Sequence, residues 1–313
     1  MLNRRHLLSG LAAASALATT ATARSRSHGA INGARFAVTI DDFNIMDGPV
    51  LTGDARHRAI LDALDGAGIK AAGLVAGKHI DNPAGPGRLG AWAEAGHLIG
   101  NHTYSHAYYG GSTPGDLGAE IDRAAPLLAP YATNRPLFRF PNLAEGRTAE
   151  TRDRMRAVLA ERGLSNAHVT IDASDWYVDQ RLRARLEHDP GADTAPYGDF
   201  LVRHLLDRAT FYDALAHDVL GRSPPHTLLI HHNLTTALFL PKILAGFKAA
   251  GWTAIDAGTA FTDPLYQSKP DIAPAAGSLI WQLARADGRF EDRLRSPGED
   301  GPYEEPAMNA LGL

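Results

Sequence analysis

From residue 35 onward the chain alternates between short runs of β-type residues and longer segments whose apolar side chains recur every three or four positions. A period of two belongs to a strand with one face in a core, and a period near 3.6 to a helix. Residues 36–40 (Phe-Ala-Val-Thr-Ile) read as a strand ending at Asp41 and Asp42, and residues 55–67 carry Ile60, Leu61 and Leu64 at helical spacing before Gly66 and Gly68. Residues 69–75 predict a second strand, 86–96 a helix, and 97–99 a short apolar run that leads into His102 and His106. A helix opening at residues 113–116 (Thr-Pro-Gly-Asp) places Leu117, Ile121, Ala124, Leu127 and Leu128 along one side. Residues 136–138 are short and apolar, and Pro141 forbids a continuing central strand just beyond them. The order then repeats, with a helix over 148–162, a strand over 167–171, a helix over 196–219, a strand over 227–230, a helix over 235–249 and a last strand over 252–255. This alternation predicts an α/β fold built on a mainly parallel sheet or barrel.

The first 30 residues stand outside the pattern. Arg4 and Arg5 precede a small apolar run from Leu7 to Ala18, and Ala21-Thr22-Ala23 has the small-x-small form of a cleavage signal. Residues 1–30 therefore read as an export signal of the twin-arginine type, cleaved near Ala23, which places the mature protein in the periplasm or outside the cell. The apolar run is too short for stable membrane insertion. No linker rich in Pro, Gly or Ser divides the stretch between residues 30 and 262, so 31–262 reads as one domain. Residues 263–313 form a C-terminal extension with one helical segment at about 278–285 and a polar tail of no assignable chemistry.

Composition narrows the chemistry. The formal charge is −4 with mixed signs throughout, which offers no basic field for a nucleic-acid backbone. Cysteine is absent, so disulfides, a thiol nucleophile and thiolate ligands are excluded, and any metal must be held by nitrogen and oxygen. His102 and His106 are four apart, a spacing that turns two imidazoles to one point if the segment coils. Two histidines leave a metal underligated, so a carboxylate has to come from elsewhere. Asp41 and Asp42 offer it where the first strand gives way to a loop, one binding the metal while the other stays free as a base. Arg139, flanked by Phe138 and Phe140, needs a carboxylate partner, and a bidentate clamp on the free aspartate would favour its ionised form. Asp172 and Asp175-Trp176 follow the strand at 167–171. Alternation over 228–232 puts Leu229 and His231 on one face, which makes His231, not His232, the pocket candidate. His57, His79, His97, His168, His188, His204, His217 and His226 read as surface or packing residues. All the candidates follow C-terminal ends of β-type runs, the edge on which parallel α/β folds build their sites.

In order along the chain, Thr39-Ile40-Asp41-Asp42, His102-Thr103-Tyr104-Ser105-His106, Arg139-Phe140-Pro141, Asp172-Ala173-Ser174-Asp175-Trp176 and Leu229-Ile230-His231 resemble the five motifs of the polysaccharide deacetylases, the NodB-homology or carbohydrate esterase family 4 domain. The resemblance covers about residues 35–258. It implies a distorted (β/α) barrel and a divalent metal, zinc with cobalt or nickel as alternatives, bound by Asp42, His102 and His106. It also implies Asp41 as general base, Arg139 as its positioner, His231 as general acid and Asp175 as the group tuning that histidine. Trp176 and Leu229, with Phe140 and Pro141, would line the substrate pocket. The implied reaction removes acetyl groups from N-acetylated sugars of a chitin- or peptidoglycan-like glycan. An O-acetyl esterase of xylan type, a small cyclic amide hydrolase and a silent glycan-binding protein are the alternatives. Phe43-Asn44 stand where the family usually has Gly-Pro, and Asn142 follows the motif-three proline in place of the commoner aromatic or glycine.

Overall fold

The computed structural model describes residues 33–108, 114–294 and 301–313; the export signal expected over residues 1–30 lies outside the described residues. The fold is organised on β1 (Arg35–Asp42), whose residues from Phe36 to Asp41 are all buried, as expected of a strand covered on both faces. It is followed by α1 (Gly53–Ala67), β2 (Ala72–Val75), α2 (Gly85–Glu94), β3 (Leu98–Asn101), α3 (Pro114–Leu128), β4 (Asn134–Phe138), α4 (Ala149–Glu161) and β5 (Ser165–Asn166). The second half contains α5 (Asp175–His188), α6 (Ala195–Leu220), β6 (Pro225–His231), α7 (Leu234–Ala249), β7 (Thr253–Ala254), α8 (Ala257–Ala260), α9 (Leu279–Asp287) and α10 (Gly301–Ala310). Thr52, Thr148 and Asn233 start α1, α4 and α7 by accepting a first-turn N–H on their side chains.

The strands run parallel in the order β5-β4-β3-β2-β1-β6, with β7 paired to the start of β1. The strand expected over 167–171 is reduced to β5 and a single bridge from Ile171 to Leu228. The physical reason is that this stretch crosses from one sheet edge to the other. The Ala167 N–H donates to Phe138 O of β4 at 2.6 Å, while the Ile171 N–H donates to Thr227 O of β6 at 2.9 Å and Leu229 N–H returns to Ile171 O at 3.1 Å. A segment bonded to β4 at its start and β6 at its end stays in register with neither, and it curls the sheet into a distorted barrel.

Three helices were not anticipated: α5, α10 and the single turn α8. In α5, Val178, Leu182 and Leu186 are buried at spacing four amid charged residues, and α10 buries Met308. The residues beyond 262 are part of the main core: Leu265, Tyr266, Ala275, Leu279, Ile280 and Met308 belong to the same buried cluster as Phe36, Val38 and Ile40. Backbone bonds tie them in, Glu145 N–H to Ala275 O at 2.9 Å and Leu279 N–H to Val169 O at 2.7 Å. Among the described residues no helix is long and apolar enough to cross a membrane.

Candidate active site

Asp41 and Asp42 close β1, and the chain turns sharply there, with φ of 75° at Asp42 and 59° at Phe43. Such angles are costly for residues with side chains and persist only where surroundings impose them. Here the Phe43 ring supplies the constraint. It is fully buried against Gly73, where an added Cβ would lie 2.5 Å from the ring, and edge-on to Trp92 at 5.0 Å between centroids. Arg56 Nη2 fixes the next residues by donating to Asn44 O at 2.6 Å and Met46 O at 2.8 Å. The turn brings both carboxylates to one site.

The histidine pair also reaches this point, but without a helix. Residues 102–106 form a loop with φ of 67° at Thr103 and 57° at His106. Its backbone is pinned on the β2 side, where Gly77 N–H donates to Thr103 O and Lys78 N–H to Tyr104 O, both at 2.9 Å. On the α3 side Glu120 Oε2 accepts the Ser105 N–H at 2.6 Å. The expectation of a shared helical face is therefore corrected: fixed loop bonds, not helical periodicity, converge the two rings to 4.8 Å between centroids.

One ligand atom from each of Asp42, His102 and His106 lies within 4.8 Å of the others. Asp42 Oδ1 is 3.2 Å from His106 Nε2 and 3.6 Å from His102 Nε2. His102 Nδ1 lies 2.8 Å from Arg139 O, which can only accept, so Nδ1 carries the proton and Nε2 offers its lone pair inward. Burial is the main cause that lowers His102 and His106 to about 4, so both are neutral at neutral pH. Burial alone would raise Asp42, but the imidazoles of His231, His106 and His102 outweigh it and hold the carboxyl at about 2. Asp42 Oδ1 is shielded from solvent and accepts no hydrogen bond. Two neutral imidazoles and an ionised carboxylate with an unpartnered buried oxygen form the donor set of a three-ligand zinc-type site with room for a further ligand, and the residues present fit such an ion.

Asp41 lies beside this cluster. Arg139 Nη1 donates to Asp41 Oδ1 at 2.5 Å and to Thr39 Oγ1 at 3.0 Å, and Nε donates to Ala167 O at 2.8 Å. The anticipated bidentate clamp is not formed: Nη1 alone reaches Asp41, Nε is taken by the crossing segment, and the buried Nη2 has no hydrogen-bond partner. Burial dominates the carboxyl and raises its pKa, with Arg139 opposing, so the arginine limits the rise without reversing it. Across the cleft, His231 closes β6 and is the register partner of Asp41 on the neighbouring strand. Asp175, the first residue of α5, accepts from His231 Nδ1 on Oδ1 and from the His231 N–H on Oδ2, both at 2.8 Å. Burial would lower His231, but Asp175, with Asp42 and Asp41, outweighs it and raises the imidazole to about 10.

Of these groups Asp41, His102, His106 and His231 line a cleft with a cavity volume of about 330 Å³, together with Asp172, Trp176 and Leu229 among others, while Arg139 and Asp175 stand behind its wall. Two expected lining residues are absent from it. Phe140 is buried among Phe138, Leu117, Ile121 and Met155 beneath the sheet, and Pro141 turns the chain so that Asn142, Leu143 and Ala144 form the wall. Asn142 and Leu143 have φ of 55° and 51°, so the non-glycine residues in left-handed backbone among the described residues all fall in the three loops around the cleft. Sequence reasoning missed this wall, Tyr108, and Ala276 and Gly277 from the region beyond residue 262. The unusual residues after Pro141 were a signal for the first; nothing in the composition of 263–313 marked the last.

An α/β barrel thus carries a carboxylate–dihistidine cluster, a buried carboxylate and a carboxylate-held histidine together at its C-terminal strand edge. Residues 31–166 match the family model described as polysaccharide deacetylase. No curated protein sequence matches the chain. Among solved structures, the polysaccharide deacetylase Bc1974 from Bacillus cereus is 19% identical with a TM-score of 0.52, covering 71% of this chain and 91% of its own. The chitin deacetylase of Colletotrichum lindemuthianum is 19% identical with a TM-score of 0.51, covering 74% and 88%. A carbohydrate esterase family 4 pseudoenzyme from Bacillus anthracis is 16% identical with a TM-score of 0.51, covering 73% and 66%. These likenesses show the distorted barrel of this family.

Proposed function

We propose that the protein is a metal-dependent hydrolase that removes acetyl groups from N-acetylated sugars of an oligo- or polysaccharide. The observation that carries this reading is the placement of Asp41 and His231 as register partners beside the Asp42–His102–His106 cluster, in one cleft. A divalent metal held by Asp42, His102 and His106, zinc in the first instance, supplies Lewis acidity toward an acyl oxygen and brings the pKa of a water down to about 7.

The chain's own residues do the rest. Asp41 accepts the proton of the attacking water, and Arg139 keeps its carboxylate aimed by holding Oδ1 from behind. His231 is raised to about 10, so it is protonated at neutral pH and gives its proton to the departing amine nitrogen. Asp175 orients the ring through Nδ1, leaving Nε2 as the donor. Trp176 and Leu229 offer apolar surface for the acetyl methyl. The paired Arg4-Arg5 leader supports export, with the glycan met outside the cytoplasm, and the catalytic unit extends past residue 262 because the later residues share its core and line its cleft.

Acetate release tests the reading. Zinc-loaded protein, incubated with N-acetylated chitin and peptidoglycan oligomers and with O-acetylated xylan, is expected to release acetate from the N-acetylated glycans and to stop when a chelator is added. Release from xylan alone would make it an O-acetyl esterase. Glycan affinity with no metal-dependent release from any of them would make it a silent binding protein.

A further inference from the structure

The carboxylate that holds His231 belongs to the first residue of α5, and that end of α5 is itself held from the far end of the chain. Ser174, just before the helix, makes no side-chain cap. Its backbone N–H donates to Nε2 of His204, a buried residue of α6, at 2.9 Å. An N–H can only donate, so His204 carries its own proton on Nδ1, and Nδ1 faces Glu304 Oε2 of α10 at 3.3 Å. Glu304 is buried as well. Helices α5 and α10 also meet directly further along: Arg181 of α5, braced within its helix by Nη1 donating to Tyr177 Oη at 3.1 Å, donates through Nη2 to Asn309 Oδ1 of α10 at 2.8 Å and to Leu313 O. Gly301 permits the approach, since a Cβ there would lie 2.6 Å from the Tyr177 ring.

We propose that Glu304 and His204 are positioning residues for the reacting pair: they clamp the Ser174 N–H so that Asp175 meets His231 with both carboxylate oxygens. The inference rests on His231 being the acid of the proposed reaction. A carboxylate–histidine–amide chain is rigid because each link has one donor and one acceptor and all are shielded from water. Its stiffness is passed to Asp175 through a single peptide unit. Reaction rates fall by up to about 100-fold when a reacting group is misplaced by about 1 Å, so a clamp one residue from Asp175 acts on turnover more than on substrate affinity.

The test uses the full chain with His204→Leu and His204→Gln; a glutamine Oε1 can still accept the Ser174 N–H, and a leucine cannot. In metal-free protein the His231 Nδ1–H shared with Asp175 gives a downfield proton resonance, assigned by its loss in Asp175→Asn. We expect the resonance to be lost in His204→Leu and kept in His204→Gln. In acetate release by zinc-loaded protein, His204→Leu is expected to lower kcat about tenfold or more at unchanged KM, with His204→Gln recovering most of it. Should His204→Leu not fold, Glu304→Leu decides instead, with a smaller change of the same sign in both readouts. A wild-type resonance and kcat in the leucine variants, or no recovery in His204→Gln, would overturn the proposal. If wild-type protein releases no acetate, the functional reading fails while the resonance still decides the clamp.

Discussion

Asp175 holds His231 twice, once on the ring Nδ1 and once on the backbone N–H, each at 2.8 Å. The imidazole is thereby fixed in position and kept protonated. His231 must carry its proton to act as acid, so its contribution is present below its pKa and lost as pH rises through about 10 in the metal-free protein. Asp175→Asn removes the chief group that raises it. The alkaline limb of the kcat profile is expected to move down by at least about one pH unit, and kcat to fall by about 100-fold or more. An unmoved limb would detach Asp175 from His231.

The proposed reaction assigns different work to two adjacent aspartates. Asp41→Asn should abolish turnover, by about 100-fold or more, while zinc stays bound in one equivalent. His102→Ala should lose zinc and turnover together. Metal content measured on the purified variants, beside acetate release, checks the division; equal zinc loss in both would sink it.

Arg139 keeps the buried Asp41 carboxyl from rising further. Asp41 must be ionised to act as base, so activity is lost as pH falls through its pKa. In Arg139→Met that pKa rises, and the acid limb of the rate profile is expected to shift to higher pH. The variant also leaves a buried carboxylate without its partner, at a cost of about 3–5 kcal/mol in urea unfolding. Wild-type stability in this variant would mean that the pair is dispensable to the fold.

Several buried imidazoles are held neutral. Burial lowers His57, His79, His97, His102 and His106 to about 4 and His232 to about 3. Unfolded histidine binds a proton near pH 6.5, so the unfolded state takes up more protons below that value. The metal-free protein is expected to lose Tm progressively as pH falls from about 6.5 toward 4. Zinc at about 100 times its Kd should add about 2.7 kcal/mol at neutral pH, and this increment should vanish near pH 4 as His102 and His106 protonate. Circular dichroism melts with and without zinc follow both.

Much of the fold can be read along the chain because strands and helices announce themselves by local period. The buried run of β1 and the helical spacing in α1, α3, α6 and α7 appear in the structure within a few residues of where the pattern puts them. The stretch at 167–171 reads as a strand for the same local reason, and only its bonds to both sheet edges make it a crossing. The helix α5 escaped notice because its buried face, Val178, Leu182 and Leu186, is narrow and flanked by arginines.

By itself the sequence determined the residue types of the site and their order, since an Asp pair, a His pair, an Arg, a second Asp and a His each follow a β-type run, and parallel strands carry such ends to one edge. Tertiary structure alone decided where each sits and what it touches. Left-handed backbone at Asp42, the loop bonds at 102–106, the inward turn of Phe140, the Asp175 carboxylate beneath His231 and the cleft wall from Ala276 and Gly277 all depend on contacts between residues far apart in the chain. Periodicity reports only which face of its own element a side chain takes, and it carries no information about the neighbour that face will meet.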